Sequence, residues 1–403
     1  MRTDRLIVAV LTLGLIVGSA TFASAAPKPQ GPPSDDAFLK KVESDLGKKD
    51  PTLRKPKSML SELLPEIAVS VGVSAAYYRD TKSIYTTGAD DPSQNGFTLN
   101  YLELTLYKNI DPYFRASVVL NFGFESIETE EAYVETLGVP GGLKFRAGFF
   151  KTGFGRINAR HTHTWDFIDR PVVNGKFFGV EGHRLLGAEA SWLAPLPWYL
   201  LVGASVGMPD GEESNRSFFG GEKKLDKWKQ VVVVAYVKQF FTLGPNWSLN
   251  LGFSGAFGPN PTADGKHSFI YGGDLYIKYR PVTSGSYFQA SLLAEWMIRQ
   301  RQTTMKTLTD SGGFVELALQ LAKRWRVALR AEHVDNLEND YLDPDQHGAR
   351  QRYSVSLAFV PSEFSRIRLQ GNLDHNRFAP STLSGAIFAT LEVTFGSHPP
   401  HPY

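Results

Sequence analysis

Residues 366–374, with the sequence RIRLQGNLD, place a polar side chain at every second position and an apolar or small one between. Successive side chains of a β-strand point to opposite faces, so the two kinds of residue separate. The isoleucine, the glycine and the leucines share one face, and the arginines, glutamine, asparagine and aspartate share the other. The stretch therefore predicts a strand with one apolar face and one polar face.

The same alternation recurs elsewhere in the chain. It is clearest in residues 275–279, 315–321, 353–359 and 387–395. In a soluble sandwich of two sheets the apolar faces would meet in a core. In a membrane barrel the apolar faces meet lipid and the polar faces line the interior.

The connections between these segments favour the barrel. Tight connections fall at 109–112, 139–142, 195–197, 244–246, 283–286, 323–324 and 362–364. Between them lie long polar connections at 80–95, 156–184, 209–227, 259–269, 302–311, 336–348 and 378–385. An up-and-down barrel with both termini in the periplasm puts short turns on one rim and longer loops on the other. We therefore predict an all-β chain that forms a transmembrane antiparallel β-barrel of about 16 strands, with 14 or 18 left open.

The first residues have the features of a secretory signal peptide. Arg2 and Arg5 precede an apolar run over residues 6–17, and residues 23–25 (ASA) offer a small-residue cleavage site. The run is shorter than the roughly 20 residues that a membrane-spanning helix needs. We predict a signal peptide over 1–25, a periplasmic proline-rich and short-helix leader over 26–65, a barrel over 66–396 and a C-terminal tail over 397–403. The predicted location is the outer membrane of a Gram-negative bacterium.

Composition excludes several classes of protein. The chain has no cysteine, which excludes a lipoprotein anchor, disulfides and thiolate metal sites. A formal net charge of +2, with acids and bases interspersed, does not indicate a nucleic-acid partner. The expected partners are outer-membrane lipid and small hydrophilic solutes.

Arginine recurs on the predicted inward faces of the C-terminal half. The inward arginines are Arg299, Arg301, Arg326, Arg330, Arg350, Arg352, Arg366 and Arg368, and the inward carboxylates are Glu316, Glu332, Asp374 and Glu392. A wall of this kind creates a field across a water-filled pore and favours anions or zwitterions. The same side chains can instead pair with one another, and both interpretations stay open at this point.

The connection 156–184 is the longest and is the third on its rim. It mixes aromatic residues with acids and bases, and aromatic residues favour packing over exposure to water. We predict that it folds into the barrel and narrows the pore, with Trp165 and Phe167 as anchors. The predicted constriction residues are Arg160, Asp166, Asp169 and Arg170.

Two neighbouring motifs resemble known families. Residues 143–155 (LKFRAGFFKTGFG) are similar to the strand and loop start of phosphate-selective porins. Residues 161–171 (HTHTWDFIDRP) resemble proteins described as zinc-regulated outer-membrane porins or receptors. The resemblance implies a sixteen-stranded porin with an infolded third loop and a homotrimeric assembly. It does not imply phosphate specificity, because Lys151 is the only lysine near the start of the loop.

The histidines of the loop are candidate metal ligands. His161 and His163 point to the same side of an extended chain, with Asp166 and His183 as further ligands. Imidazole and carboxylate groups suit zinc, nickel or copper. Polar packing of the loop is the alternative interpretation. The tail histidines His398 and His401 form a weaker pair, since the prolines between them impose no closed geometry.

The sequence thus predicts a porin for the passive diffusion of small hydrophilic solutes, leaning toward anions and needing no bound cofactor, with zinc as the one candidate metal. Enzymatic activity is not predicted, because no Gly-x-Ser-x-Gly or similar nucleophile motif occurs. The alternatives are an outer-membrane enzyme using His333 with Asp335 or Asp374 with His375, a structural or adhesive barrel, and a zinc-associated outer-membrane transport protein.

Overall fold

The structure is a computed structural model. It describes residues 64–81, 84–123, 126–209, 212–218, 231–282, 285–335, 349–376 and 382–396. The predicted signal peptide, the tail and all but the last two residues of the predicted leader lie outside the described residues, as do His398 and His401.

The described strands form one closed antiparallel barrel of sixteen strands. They are β1 Glu66–Tyr78, β2 Gly96–Asn109, β3 Phe114–Phe122, β4 Ile127–Thr136, β5 Leu143–Lys151, β6 Arg184–Leu193, β7 Tyr199–Pro209, β8 Val232–Thr242, β9 Trp247–Pro259, β10 His267–Tyr279, β11 Gln289–Gln302, β12 Thr307–Ala322, β13 Trp325–Val334, β14 Arg350–Ser362, β15 Ser365–Asn376 and β16 Leu383–Gly396. Each strand pairs with its neighbours in sequence, and β1 pairs with β16 to close the sheet. The predicted barrel and its strand number are confirmed.

In the described residues, two short α-helices lie in the connections, along with 3-10 helices at Pro140–Gly142 and Thr162–Thr164. Helix α1 spans Val172–Phe178 and helix α2 spans Glu212–Asn215. In the described part of the chain, no helix combines the length and the apolar character needed to cross a membrane.

The alternation read from residues 366–374 corresponds to the two faces of the wall. On β15, Leu369 is 49% exposed because it faces outward, and Arg368 is 1% exposed because it faces the filled lumen.

Aromatic side chains gather at the rim of the short turns. Trp247 packs against Tyr279 with ring centroids 4.8 Å apart, and Trp325 packs against Phe359 at the same distance. An aromatic girdle at the end of an apolar band marks the membrane interface of such barrels.

The connections differ from the prediction in two places. Residues 302–311 were predicted to form a long loop, but β11 continues to Gln302 and β12 begins at Thr307. The prediction was wrong because Leu308 and Asp310 turn inward in a strand whose interior face is polar, so the segment resembles a loop in sequence. A further connection, between Phe122 and Ile127, was not recognised because it is short although it lies on the rim of long loops.

The wall is irregular around β4, and this irregularity positions part of the site. β4 pairs with β5 through four residues, Ala132 to Glu135. On its other side β4 carries a β-bulge, since Val119 of β3 pairs with Glu131 and the next residue, Leu120, pairs with Thr129. The extra residue of a bulge re-aims neighbouring side chains. Here the consecutive residues Glu130 and Glu131 are both buried against the contents of the lumen.

The apolar outward face gives a test of the membrane fold. Leu329 lies in the middle of β13 and is 50% exposed on the outward face. We expect Leu329→Arg to destabilise the barrel in phospholipid vesicles by about 2–4 kcal/mol, because the charge enters the hydrocarbon layer. Urea titration of the refolded protein measures this loss. Met305→Arg is the control, since Met305 lies in a rim connection and is 93% exposed. Equal stability of the two variants would place Leu329 outside lipid.

Candidate functional site

The third loop, residues 152–183, folds into the lumen and fills much of it. All seven residues of α1 are buried, and so are the loop aromatics Phe154, Trp165 and Phe167. The ends of the loop are neighbours in the sheet, since Lys151 pairs with Arg184. The predicted inward folding is thus what the structure contains.

Apolar contacts attach the loop to opposite parts of the wall. The largest cluster joins the loop residues to inward residues of β8 to β13: Val232, Val234, Ala256, Ile270, Leu293, Met297, Phe314 and Val334. On the other side, Ile168 packs with residues of β1 and β16, including Tyr78 and Phe388. Phe167 packs with Ala318 and Ala328. The loop therefore spans the lumen.

Small wall residues make room for this packing. A Cβ atom at Gly272 of β10 would lie 2.8 Å from a ring carbon of Phe154, closer than side chains approach one another. Glycine at this position lets the aromatic ring rest on the backbone of the wall. The position of Phe154 in the lumen therefore requires a glycine at residue 272.

The centre of the polar contacts is Asp169. Its carboxylate accepts hydrogen bonds from Arg330 at 2.5 Å and Arg352 at 2.9 Å. It also accepts from Gln370 at 2.6 Å and Asn372 at 2.8 Å. Burial opposes the charge, but the two guanidinium groups outweigh it and hold the pKa of Asp169 below its usual value.

Wall side chains also satisfy the irregular backbone of the loop. Glu332 accepts from the backbone N–H of Val172 at 2.6 Å, and Gln370 accepts from that of Ile168 at 2.6 Å. Arg366 donates to the carbonyl oxygen of Trp165 at 2.8 Å. Backbone groups outside regular structure need such partners when water is excluded. The polar inner face of β13 to β15 supplies them.

The predicted constriction residues fall into two groups. Asp169 and Arg170 are both buried, Asp169 against side chains of β13 to β15 and Arg170 against Thr87 and Asp91 of the first long connection. Arg160 and Asp166 are half-buried, and Asp166 pairs with Arg326 at 2.7 Å. Two of the four predicted constriction residues are therefore buried in the structure, and the other two are half-buried.

The predicted inward arginines face the lumen and are engaged there. Their ion pairs are Arg299–Asp310, Arg326–Asp166, Arg330–Asp169, Arg330–Glu332, Arg350–Asp374, Arg352–Asp169, Arg352–Asp374, Arg366–Glu392 and Arg368–Glu392. Arg301 and Glu316 are buried on the same inward face. Of the two interpretations left open, pairing within the lumen accounts for these contacts, because each carboxylate offsets a guanidinium charge.

A cavity remains beside the loop, next to β7 to β10. It has a volume of about 420 Å³, including space open to solvent. Its lining residues are Arg156, Ala159, Tyr199, Lys238, Gln239, Asn250, Leu251 and Asp274. The sequence prediction had not included Arg156 and Lys238, although inward parity with the buried Val234 and Tyr236 marks Lys238. The cavity has two basic side chains and one acidic one.

The structure does not bring the four predicted metal ligands together. Asp166 contacts Arg326, and His183 packs between Phe178 and Phe218 with ring centroids 5.0 and 5.5 Å away. Burial lowers the pKa of His183 to about 3. A different group forms within the described residues, where donor atoms of His161, Glu103 and Glu130 lie within 4.8 Å of one another.

His161 is the centre of this second group. Its Nδ1 lies 3.5 Å from Glu103 and 3.4 Å from Glu130, and its Nε2 lies 3.1 Å from Glu131. Burial and the ammonium of Lys151 oppose a charge on the ring, but Glu130 and Glu103 outweigh them and hold the pKa of His161 well above its usual value. Its partner His163 stacks on it with ring centroids 5.7 Å apart.

The residue pairs considered for catalysis lack the required order. Asp335 accepts hydrogen bonds from Ser311 Oγ at 2.6 Å and lies 3.1 Å from His333, so the carboxylate stands between hydroxyl and imidazole. A serine nucleophile needs the imidazole itself beside the hydroxyl. Asp374, in turn, is engaged by Arg350 and Arg352.

The fold is that of outer-membrane porins and channels. An anion-selective porin from Comamonas acidovorans superposes with a TM-score of 0.53 at 11% identity, covering 82% of this chain and 99% of that one. The outer-membrane channel DcaP of Acinetobacter baumannii gives 0.53 at 11% identity, covering 82% and 97%. OmpT, an outer-membrane protein of Vibrio cholerae, gives 0.51 at 7% identity, covering 82% and 97%. At these identities the likeness extends to the fold alone.

Sequence comparison defines the family. No known family profile matches the chain. An uncharacterised protein of Aquifex aeolicus strain VF5 is 33% identical over 343 residues, which cover 77% of this chain and 71% of that protein. The chain belongs to the same family as this Aquifex aeolicus protein. The closer resemblance to phosphate-selective or zinc-regulated porins stays a prediction.

The contacts of Asp169 give a test of what holds the loop. We expect Asp169→Asn to release the loop, because removing one partner from a buried ion pair costs about 3–5 kcal/mol. Trypsin cleavage after Lys176, which is buried in α1 of the same loop, is then faster in the folded barrel than in the unaltered protein. Asp166→Asn is the matched control, since its partner Arg326 is 37% exposed and such a pair contributes about 0–1 kcal/mol. Identical cleavage of both variants would contradict the role of Asp169.

Proposed function

We propose that this protein is an outer-membrane porin of a Gram-negative bacterium through which small hydrophilic solutes diffuse, with the third loop as its constriction. The observation that carries the proposal is the loop that spans a sixteen-stranded barrel and leaves beside it a cavity of about 420 Å³, including space open to solvent. Barrels of this strand number enclose an aqueous channel unless something fills it. Here the loop determines the width of that channel.

An anion preference is the finer part of the proposal. It is supported by Arg156 and Lys238, which line the cavity together with Asp274. Lys238 Nζ donates to the carbonyl oxygen of Gly155 at 3.0 Å, and the guanidinium of Arg156 lies 4.0 Å from the ring centroid of Tyr276. Both contacts hold the basic groups at the cavity. The inward arginines of β11 to β15 support the preference less, since their charges are offset by carboxylates.

Lys238 gives the test of ion preference. We expect Lys238→Gln to lower the ratio of chloride to potassium permeability by roughly a factor of two, because the field at the narrow part of the path weakens. Reversal potentials in planar bilayers under a KCl gradient measure the ratio. Lys144→Gln is the control, since Lys144 is 50% exposed and pairs with Glu135 away from the cavity. Cation selectivity of the unaltered protein would overturn the preference.

Replacement of the loop tests the constriction. Because Lys151 and Arg184 are paired neighbours, a short Gly-Ser linker can replace residues 158–178 without stretching the wall. We expect single-channel conductance to rise severalfold, since the linker leaves the lumen open. Replacing residues 261–265, in the connection between β9 and β10, by the same linker is the control. If both replacements leave conductance unchanged, the third loop does not set it.

The alternatives predict other outcomes of the same recordings. A structural or adhesive barrel gives no ion conductance in any of the variants. An enzymatic role has no supporting arrangement among the described residues, where Ser311, Asp335 and His333 are in the wrong order. The homotrimer stays a prediction, and the mass of the detergent-solubilised protein measures it.

A further inference from the structure

The strongest unassigned feature of the lumen is the group formed by His161, His163, Glu103, Glu130 and Lys151 together with Glu131. Four elements contribute to it: the third loop supplies the imidazoles, β2 supplies Glu103, the bulge of β4 supplies the two consecutive glutamates, and β5 supplies Lys151. The side chains of the histidines and glutamates are between 7% and 12% exposed. The group therefore joins the loop to the wall inside a nearly dry region.

The distances between its donor atoms match those around a bound metal ion. His161 Nδ1 lies 3.5 Å from Glu103 Oε2 and 3.4 Å from Glu130 Oε2. Zinc bonds of about 2.0–2.2 Å to nitrogen and oxygen place neighbouring tetrahedral ligands about 3.4 Å apart. His163 Nδ1 is 3.5 Å from the same Glu103 oxygen, which puts a second imidazole next to one of the three ligands.

The charges of the group also call for a cation. Glu103, Glu130 and Glu131 are three buried carboxylates, and the Lys151 ammonium contacts Glu130. With neutral imidazoles, three carboxylates in this group would face one ammonium, and buried charge is costly unless it is compensated. One divalent cation or two protons would complete the balance. The mixture of imidazole and carboxylate ligands suits a transition metal better than calcium or magnesium, which prefer oxygen ligands.

We propose that His161, Glu103 and Glu130, with His163 beside them, bind a divalent transition metal such as Zn²⁺ and thereby fasten the third loop to β2 and β4. This ligand set replaces the one predicted from sequence, since Asp166 and His183 lie in other contacts. The site is independent of ion conduction, so it stands or falls separately from the porin function.

Titration calorimetry of the tag-free full-length protein in detergent with ZnCl₂ tests the site. We expect one Zn²⁺ per chain, and at least tenfold weaker binding in His161→Asn and in Glu103→Gln. The absence of zinc binding, or unchanged affinity in His161→Asn, would overturn the proposal. His161 belongs to the loop and not to a strand, so this variant remains decisive if Glu103→Gln fails to form a heat-modifiable barrel.

Two control variants exclude other histidines. His333→Asn removes an imidazole that is 37% exposed and paired with Asp335, and it should leave the affinity unchanged. The double variant His398→Asn/His401→Asn removes the tail pair, and it should also bind one Zn²⁺ with unaltered affinity. Loss of binding in the double variant, with retention in His161→Asn, assigns the zinc to the tail and refutes the site in the lumen.

A second measurement connects the metal to the loop. Bound Zn²⁺ should slow amide hydrogen exchange in residues 158–165 of the unaltered protein and leave it unchanged in His161→Asn. Exchange of the strand β13 serves as the internal reference. If zinc binds but exchange in the loop stays the same, the ion does not fasten the loop.

Discussion

The buried carboxylate of Asp169 is the contact on which the arrangement inside this barrel depends. A loop that crosses a lumen brings backbone polar groups and apolar side chains into a space where water is scarce, and each polar group then needs a protein partner. Asp169 joins two arginines, a glutamine and an asparagine from three neighbouring strands. The flanking residues Ile168 and Val172 are held through their backbone by wall side chains. The loop and the polar wall are thus one hydrogen-bonded unit.

This arrangement changes the electrostatic effect of the arginines on the inner wall. Arginines on the inner wall of an empty barrel would set the potential of the pore, whereas here carboxylates of the wall and the loop offset them. Their function is structural because the charges are paired at short distance. The cavity beside β7 to β10 instead brings together a small number of charges, those of Arg156, Lys238 and Asp274.

The loop is attached differently on its two sides. Toward β8 to β13 the contacts are mostly apolar, and toward β13 to β15 they are hydrogen bonds with buried charges. Around β4 the wall itself is irregular, since a bulge and a short pairing with β5 direct Glu130 and Glu131 inward. Bulges are common next to functional sites because they re-aim side chains. The histidines of the loop meet the wall at this irregular place.

The sequence by itself determined the class of fold, because a period of two along each strand and the order of short and long connections are local properties. It also identified the third loop as inward-folding, since a polar segment that carries Trp165 and Phe167 has reason to pack. It missed the strand from Thr307 and the connection after Phe122, where local composition does not reflect pairing.

Only the tertiary structure decided which charges meet. Asp169 and Arg352 are 183 residues apart in the chain, and His161 of the loop contacts Glu103 of β2 and Glu130 of β4. The alternation of side chains along each strand showed that the arginines point inward. It did not show which groups they contact in the lumen. Partners across a closed barrel depend on register, on a bulge and on the path of a loop, and these are set by the packing of the whole chain. For that reason Asp166 and His183 lie in other contacts than His161 and His163, while two glutamates that no motif had marked came together with His161.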